Sequence, residues 1–167
     1  LIAGGFASAV TAFVGQNFGA GKWQRIHRGF RISSLSMGIW GVMVTFVLFF
    51  FARPFITLFL PNEPEAVEIG VNMARILAVC QVVACLEGVA SGSFRGLGKT
   101  IPPSLVSVSC NGVRVVVAYF LPKPAVGLGG IGWAISAGAG VRGLWMFIWY
   151  LLYARKLPRK DGELSST

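Results

Sequence analysis

Charge is scarce in this chain. Charged residues make up 13% of its 167 residues, while hydrophobic residues make up 54% and the mean hydropathy is +0.69. A soluble domain has about 25% charged residues. A chain with half that fraction is predicted to be solvated largely by lipid, which argues against a soluble globular domain.

Acids, histidine and cysteine are also few, which argues against most catalytic and metal-binding chemistry. The sequence has six Asp and Glu residues, one His and three Cys. Cys80, Cys85 and Cys110 lie in apolar runs without CxxC spacing, so we expect buried thiols rather than a disulfide or a metal site. The GxGxxG letters at 127–132 lack the following acid of a dinucleotide site. We predict no enzyme, no metal and no organic cofactor.

Long apolar runs are abundant. They predict helices near residues 1–14, 32–51, 69–94, 104–121 and 128–152. Each complete run has at least the roughly 18 residues that a membrane-spanning helix needs. Because a helix satisfies its own backbone hydrogen bonds in lipid, the sequence predicts an all-α integral membrane protein, a polytopic helix bundle.

Several boundaries follow from the same pattern. Arg53-Pro54 is predicted to end the second helix and to leave residues 55–60 as a short interfacial segment. The first run has no starting Met and looks like the second half of a hydrophobic segment, so we expect the C-terminal part of a longer protein. Residues 1–155 are predicted to form a partial transmembrane domain, and residues 156–167 a basic, disordered cytoplasmic tail.

The positive charges, which give a net charge of +9, are grouped between or after the apolar runs. Most of the Lys and Arg residues fall in segments 22–31, 95–99 and 155–160, as the positive-inside rule requires, so we expect membrane lipid and not nucleic acid as the partner. The predicted topology is cytoplasmic for 16–31, 95–103 and the tail, and external for 53–66 and 122–127. This predicts a multi-pass protein of the cytoplasmic (inner or plasma) membrane with a cytoplasmic C-terminus.

Glu87 is the main candidate functional residue, because it is an acid deep inside the 69–94 run. A carboxylate at membrane depth is costly unless it is protonated, paired or facing water. One interpretation is a polar cavity for a cation or a proton. The other is structural pairing across helices with Gln81, Asn111 or Arg114. These four residues are the candidate substrate or ion pathway.

Three arginines also lie within the predicted spans: Arg75, Arg114 and Arg142. Arg114, near the middle of its run, is the one expected to need a partner most. Arg75 is expected to extend its side chain toward the external end.

Small residues and aromatic residues suggest how the helices pack. Gly88, Gly92 and Gly96 recur at four-residue spacing, which predicts close approach of another helix. Aromatic residues are expected to form a belt at the membrane interfaces, and the single histidine, His27, to be solvated there. The aromatic residues concerned are Trp23, Trp149, Tyr150 and Tyr153.

Five segments together resemble the multidrug and toxic compound extrusion (MATE) family. They are VGQNFGAGKWQR at 14–25, RPFITLF at 53–59, FRGLGKTIPPS at 94–104, NGVRVVVAY at 111–119 and GLGGIGWAIS at 127–136. Their order and spacing match the second half of those transporters. The resemblance implies twelve helices in two lobes, with this chain supplying the end of helix eight and helices nine to twelve. It also implies export of small cationic substrates, organic cations or drugs, in exchange for H⁺ or Na⁺, with the missing N-terminal lobe as partner.

One departure from the family concerns the cation site. Some sodium-coupled members carry Tyr and Asp where this chain has Cys80 and Ala84, and relatives often have Gln where it has Glu87. Either the acid has moved by three residues on the same helical face, or the cation site of this lobe is absent. Two other functions remain open: a lipid-linked saccharide flippase or polysaccharide exporter of the same superfamily, and a membrane scaffold or channel subunit without coupled transport.

Overall fold

The structure is a computed structural model. It describes the backbone of residues 2–59, 64–120 and 127–158, and the side chains of residues 3–59, 64–113 and 136–158. Within these ranges all the regular structure is α-helical, as predicted. The six helices are α1 (Ile2–Gly19), α2 (Trp23–Phe59), α3 (Pro64–Val79), α4 (Gln81–Gly96), α5 (Ile101–Phe120) and α6 (Gly127–Ala154).

Two of the short connections end a helix in the same way. Gly21 after α1 and Gly98 after α4 have φ values of +66° and +72°, which L-residues with side chains rarely adopt. In each case the next residue, Lys22 or Lys99, donates its backbone N–H to a carbonyl five residues back, at 2.9 and 3.0 Å. This is the pattern of a Schellman motif, which satisfies carbonyls left free at a helix C-terminus.

The predicted helix end at Arg53-Pro54 is wrong. Helix α2 continues through Pro54 to Phe59, so residues 55–59 are its last turns rather than a separate segment. Proline removes one backbone donor, but neighbouring helices can compensate for the freed carbonyls. Here Arg75 of α3 places its Nε 3.4 Å from the Phe49 carbonyl oxygen. The carbonyl that Pro54 leaves without a helical donor is that of Phe50, so this contact lies one residue from the gap, where Ala52 also packs on Val67 and Val71 of α3.

The predicted single helix near residues 69–94 is also wrong. It is two helices, α3 and α4, which meet at Cys80 with a bend of 46°. Neither proline nor glycine lies at the break. Hydroxyl groups of two other helices accompany it, since Ser136 Oγ donates to the Ile76 carbonyl and Thr45 Oγ1 to the Ala78 carbonyl, both at 2.9 Å. These bonds stabilise carbonyls near the end of α3.

Helix α4 lies at the centre of the packing and contacts α1, α2 and α6. On the α1 side, a Cβ added to Gly92 would lie 2.6 Å from the Ala7 carbonyl oxygen, and one added to Gly96 would lie 2.6 Å from Val14 Cβ. On the α6 side, a Cβ at Gly143 would lie 2.7 Å from Val83 Cγ1. The close approach predicted from the glycine row is confirmed, since only glycine leaves room for these contacts.

The basic segments lie at one end of the bundle. His27 Nε2 is 3.3 Å from the Pro158 carbonyl oxygen, and the Cβ position of Gly15 is 3.5 Å from the Gly96 carbonyl oxygen. These contacts join the start of α2 to the segment after α6, and the end of α1 to the end of α4. The expectation that His27 is solvated holds only in part, because its side chain is half-buried and hydrogen-bonded to the backbone of Pro158.

The same end contains the larger apolar core. Phe94 lies between Tyr150 and Tyr153, with ring centroids 5.1 and 5.5 Å away, and Phe30 packs on Tyr150 at 4.3 Å. Trp23 and Tyr150 are buried in this cluster. The aromatic belt predicted for these two residues is therefore wrong, since their rings fill the bundle interior.

Much of α2 faces away from the other described helices. It exposes apolar side chains such as Ile32, Leu35, Ile39 and Phe46. By length and composition α2 could cross a membrane, and α3 with α4 could do so jointly as a bent pair. Only 17% of the apolar window of α2 is buried, unlike the core helix of a soluble protein. Its exposed face suits lipid.

Candidate functional site

Glu87 of α4 forms an ion pair with Arg142 of α6. The Arg142 Nε–H donates to the carboxylate, with Nε 3.0 Å from Oε1 and 3.1 Å from Oε2. The close contact between Gly143 and Val83 explains this geometry. Val83 is one turn before Glu87, and Arg142 directly precedes Gly143, so the tight α4–α6 crossing brings the two charged side chains together.

The pair is mostly shielded within the described part of the chain. The side chain of Glu87 is 19% exposed and that of Arg142 is 30% exposed. Pairing offsets the cost of holding either charge in apolar surroundings. The remaining exposure leaves the carboxylate reachable for a small cation or a proton.

Glu87 does not meet two of the partners suggested by the sequence, Gln81 and Asn111. Gln81 Nε2 lies 3.9 Å from Cys85 Sγ on its own helix, and Asn111 Nδ2 lies 3.4 Å from Ser107 Oγ on the exposed side of α5. The α5 backbone includes Arg114, but its side chain lies outside the described residues. The suggested structural partners Gln81 and Asn111 are thus corrected to Arg142.

Arg142 could have been ranked higher from the sequence. It lies inside the apolar 128–152 run and next to Gly143, a residue that favours close helix packing. Arg114 was favoured instead, because it lies near the middle of its apolar run. The missing information was which faces of α4 and α6 meet.

The ion pair lies close to the break between α3 and α4. Glu87 is about two turns beyond Cys80, at about 3.6 residues per turn. Ala84 and Glu87 are three residues apart on α4 and therefore share a face. Discontinuous helices often form ion and substrate sites in secondary transporters. The arrangement supplies one carboxylate that can hold a proton or a cation, and one arginine that competes with either.

Comparison with known proteins defines the class of this molecule. A family model described as MatE matches residues 1–120. The chain therefore belongs to the MATE family of membrane transport proteins, as the resemblance in its loops indicated.

Several similar proteins are named as probable multidrug resistance proteins NorM. That of Deinococcus radiodurans is 33% identical over 153 residues, which cover 84% of this chain and 30% of the relative. That of Synechocystis is 30% identical, covering 90% and 34%. That of Thermotoga maritima is 27% identical, covering 71% and 26%. The chain thus spans about a third or less of these relatives, and no solved structure gives a significant match.

Proposed function

We propose that this chain is part of the C-terminal lobe of a MATE-type secondary antiporter. The complete protein would export organic cations or drugs in exchange for inward H⁺ or Na⁺. In this proposal α1 is the end of helix eight, and α2, the α3–α4 pair, α5 and α6 are helices nine to twelve. The lobe is polytopic in the cytoplasmic membrane, with the basic end and the C-terminus in the cytoplasm.

The Glu87–Arg142 ion pair carries this proposal. An acid within an apolar bundle is rare, and such acids usually belong to ion pathways. Family membership and the nearby helix break support the same function. A scaffold would have no use for a carboxylate that remains partly accessible.

Arg142 gives Glu87 a built-in counter-ion. In the ion-free state, the arginine neutralises the carboxylate and attracts α6 to α4. A proton or Na⁺ on Glu87 removes that attraction, because the carboxylate charge is then compensated. Ion binding thereby shifts the equilibrium between two packings of α4 and α6, as coupling requires differential affinity for two states.

The test uses the full-length transporter reconstituted in proteoliposomes. Glu87→Gln should abolish uphill substrate transport driven by H⁺ or Na⁺, while the protein still inserts into the membrane and binds substrate. Glu68→Gln is the matched control, since Glu68 is exposed on α3. Undiminished ion-driven transport by Glu87→Gln would reject this role for Glu87.

A further inference from the structure

A groove runs between α2 and α6 from the basic end of the bundle toward its middle. Its basic part has a volume of about 1150 Å³ and is lined by Arg28, Arg31, Phe147 and Leu151, among others. Its apolar part has a volume of about 550 Å³ and extends along α2. The two parts share Ser34, Leu35 and Phe147, so they form one continuous surface, called here the α2–α6 groove.

Among the described residues, the basic part carries positive charge that no carboxylate compensates. Arg28 and Arg31 are exposed and, three residues apart, lie on the same side of α2. Within the part of the chain that the structure describes, no carboxylate pairs with either guanidinium. His27 also lines this part, beside its bond to Pro158. A negatively charged group would supply the missing compensation.

The apolar part has the length and lining for a hydrocarbon chain. Leu35, Ile39 and Val42 line it from α2, and Leu86 of α4 and Phe147 of α6 lie opposite. From Arg31 to Val42 the helix rises about 17 Å at about 1.5 Å per residue. The groove is open at Gly38, where an added Cβ would meet no atom within 4 Å.

A polar group lies where the two parts meet. The Ser34 hydroxyl is buried, and among the described residues it has no hydrogen-bond partner. Buried polar groups are usually hydrogen-bonded. Rotation about its χ1 bond would allow this hydroxyl to donate to an ester carbonyl located between a headgroup and an acyl chain.

We propose that the α2–α6 groove binds an anionic phospholipid. The phosphate contacts Arg28 and Arg31, and one acyl chain lies along Leu35, Ile39 and Val42. Basic pockets between transmembrane helices are suited to anionic lipid headgroups. Inorganic phosphate alone would leave the apolar part unused, and an apolar helix would leave the guanidinium groups unpaired. A phospholipid matches both parts, since its charged headgroup suits the basic part and its acyl chain suits the apolar part.

The test measures lipid retention by native mass spectrometry of the full-length transporter. Phosphatidylglycerol and phosphatidylcholine are titrated separately. Arg28→Gln with Arg31→Gln should weaken phosphatidylglycerol retention by about tenfold or more and leave phosphatidylcholine retention unchanged. Gly38→Leu should weaken retention of both lipids, because the new side chain fills the acyl-chain path.

Matched controls separate this site from the general charge of the surface. Arg25→Gln removes a nearby exposed charge that does not line the groove, and Gly112→Leu adds the same side chain on α5. Neither should change retention. Equal losses in Arg25→Gln and in the double variant would overturn the proposal.

Competition and cross-linking test the other occupants. A photoactivatable phosphatidylglycerol should label Ile39, and inorganic phosphate should not displace it. Absence of labelling would show that the rest of the transporter covers the groove. Displacement of the lipid by a transported drug or by a lipid-linked saccharide would assign the groove to substrate. Either result would overturn the phospholipid assignment.

Discussion

The two ends of this helix bundle are packed very differently. At the basic end, Phe94, Tyr150 and Phe30 form an aromatic core joined by residues of α1, α5 and α6. At the opposite end, the buried cluster consists of Ala52, Val67 and Val71, between α2 and α3. The basic end therefore holds most of the helices together. Helix α3 is held mainly by contacts between small apolar side chains and by hydrogen bonds from hydroxyl groups near its C-terminal end. The Glu87–Arg142 pair lies between these two regions.

The largest expected effect is loss of the aromatic core. Phe94 is fully buried, so Phe94→Ala should lower the free energy of unfolding by about 3–5 kcal/mol. Val67→Ala at the opposite end removes two methyl groups instead of a phenyl ring and should cost about 1–2 kcal/mol. Denaturant unfolding of the purified full-length protein in detergent micelles measures both. Similar losses at the two sites would contradict the difference in packing.

An intermediate effect is expected for the ion pair. Its partial exposure places it between surface pairs, at about 0–1 kcal/mol, and the cost of breaking fully buried pairs, at about 3–5 kcal/mol. Glu87→Gln, Arg142→Gln and the double variant form a thermodynamic cycle, and we expect a coupling energy of about 1–3 kcal/mol. The double variant should therefore lose less stability than the sum of the losses in the two single variants. A cycle of Glu87 with Asn111 should give no coupling.

The smallest expected effect is at the helix break. Thr45→Val keeps the side-chain shape but removes the donor to the Ala78 carbonyl, so it should destabilise the protein by about 0.5–1.5 kcal/mol. Hydrogen exchange should increase at the end of α3 and remain unchanged at the aromatic core. Thr57→Val is the control, since the Thr57 hydroxyl donates within its own helix, to the Arg53 carbonyl. Faster exchange throughout the bundle would contradict a local role for Thr45.

The sequence predicted those features that depend on local composition. Apolar runs predicted helices, and the glycine row at 88, 92 and 96 predicted a close helix contact, which the structure assigns to α1. Loop motifs predicted the family. The predictions failed where one helix packs on another: at Pro54, where α2 stays helical beside α3, and at Cys80, where hydroxyls from α2 and α6 accompany a break without proline or glycine.

The sequence by itself thus determined the class of this protein and its apolar helices, and it singled out Glu87 as a candidate, because hydropathy and an isolated acid in an apolar run can be read along one segment. Only the tertiary structure decided that Arg142 pairs with Glu87, although 55 positions separate them. It also decided that the basic surface lined by Arg28 and Arg31 continues into an apolar groove. Both depend on which helix faces meet, and that is determined by side-chain volumes at the crossings, as the absence of a side chain at Gly143 shows for α4 and α6.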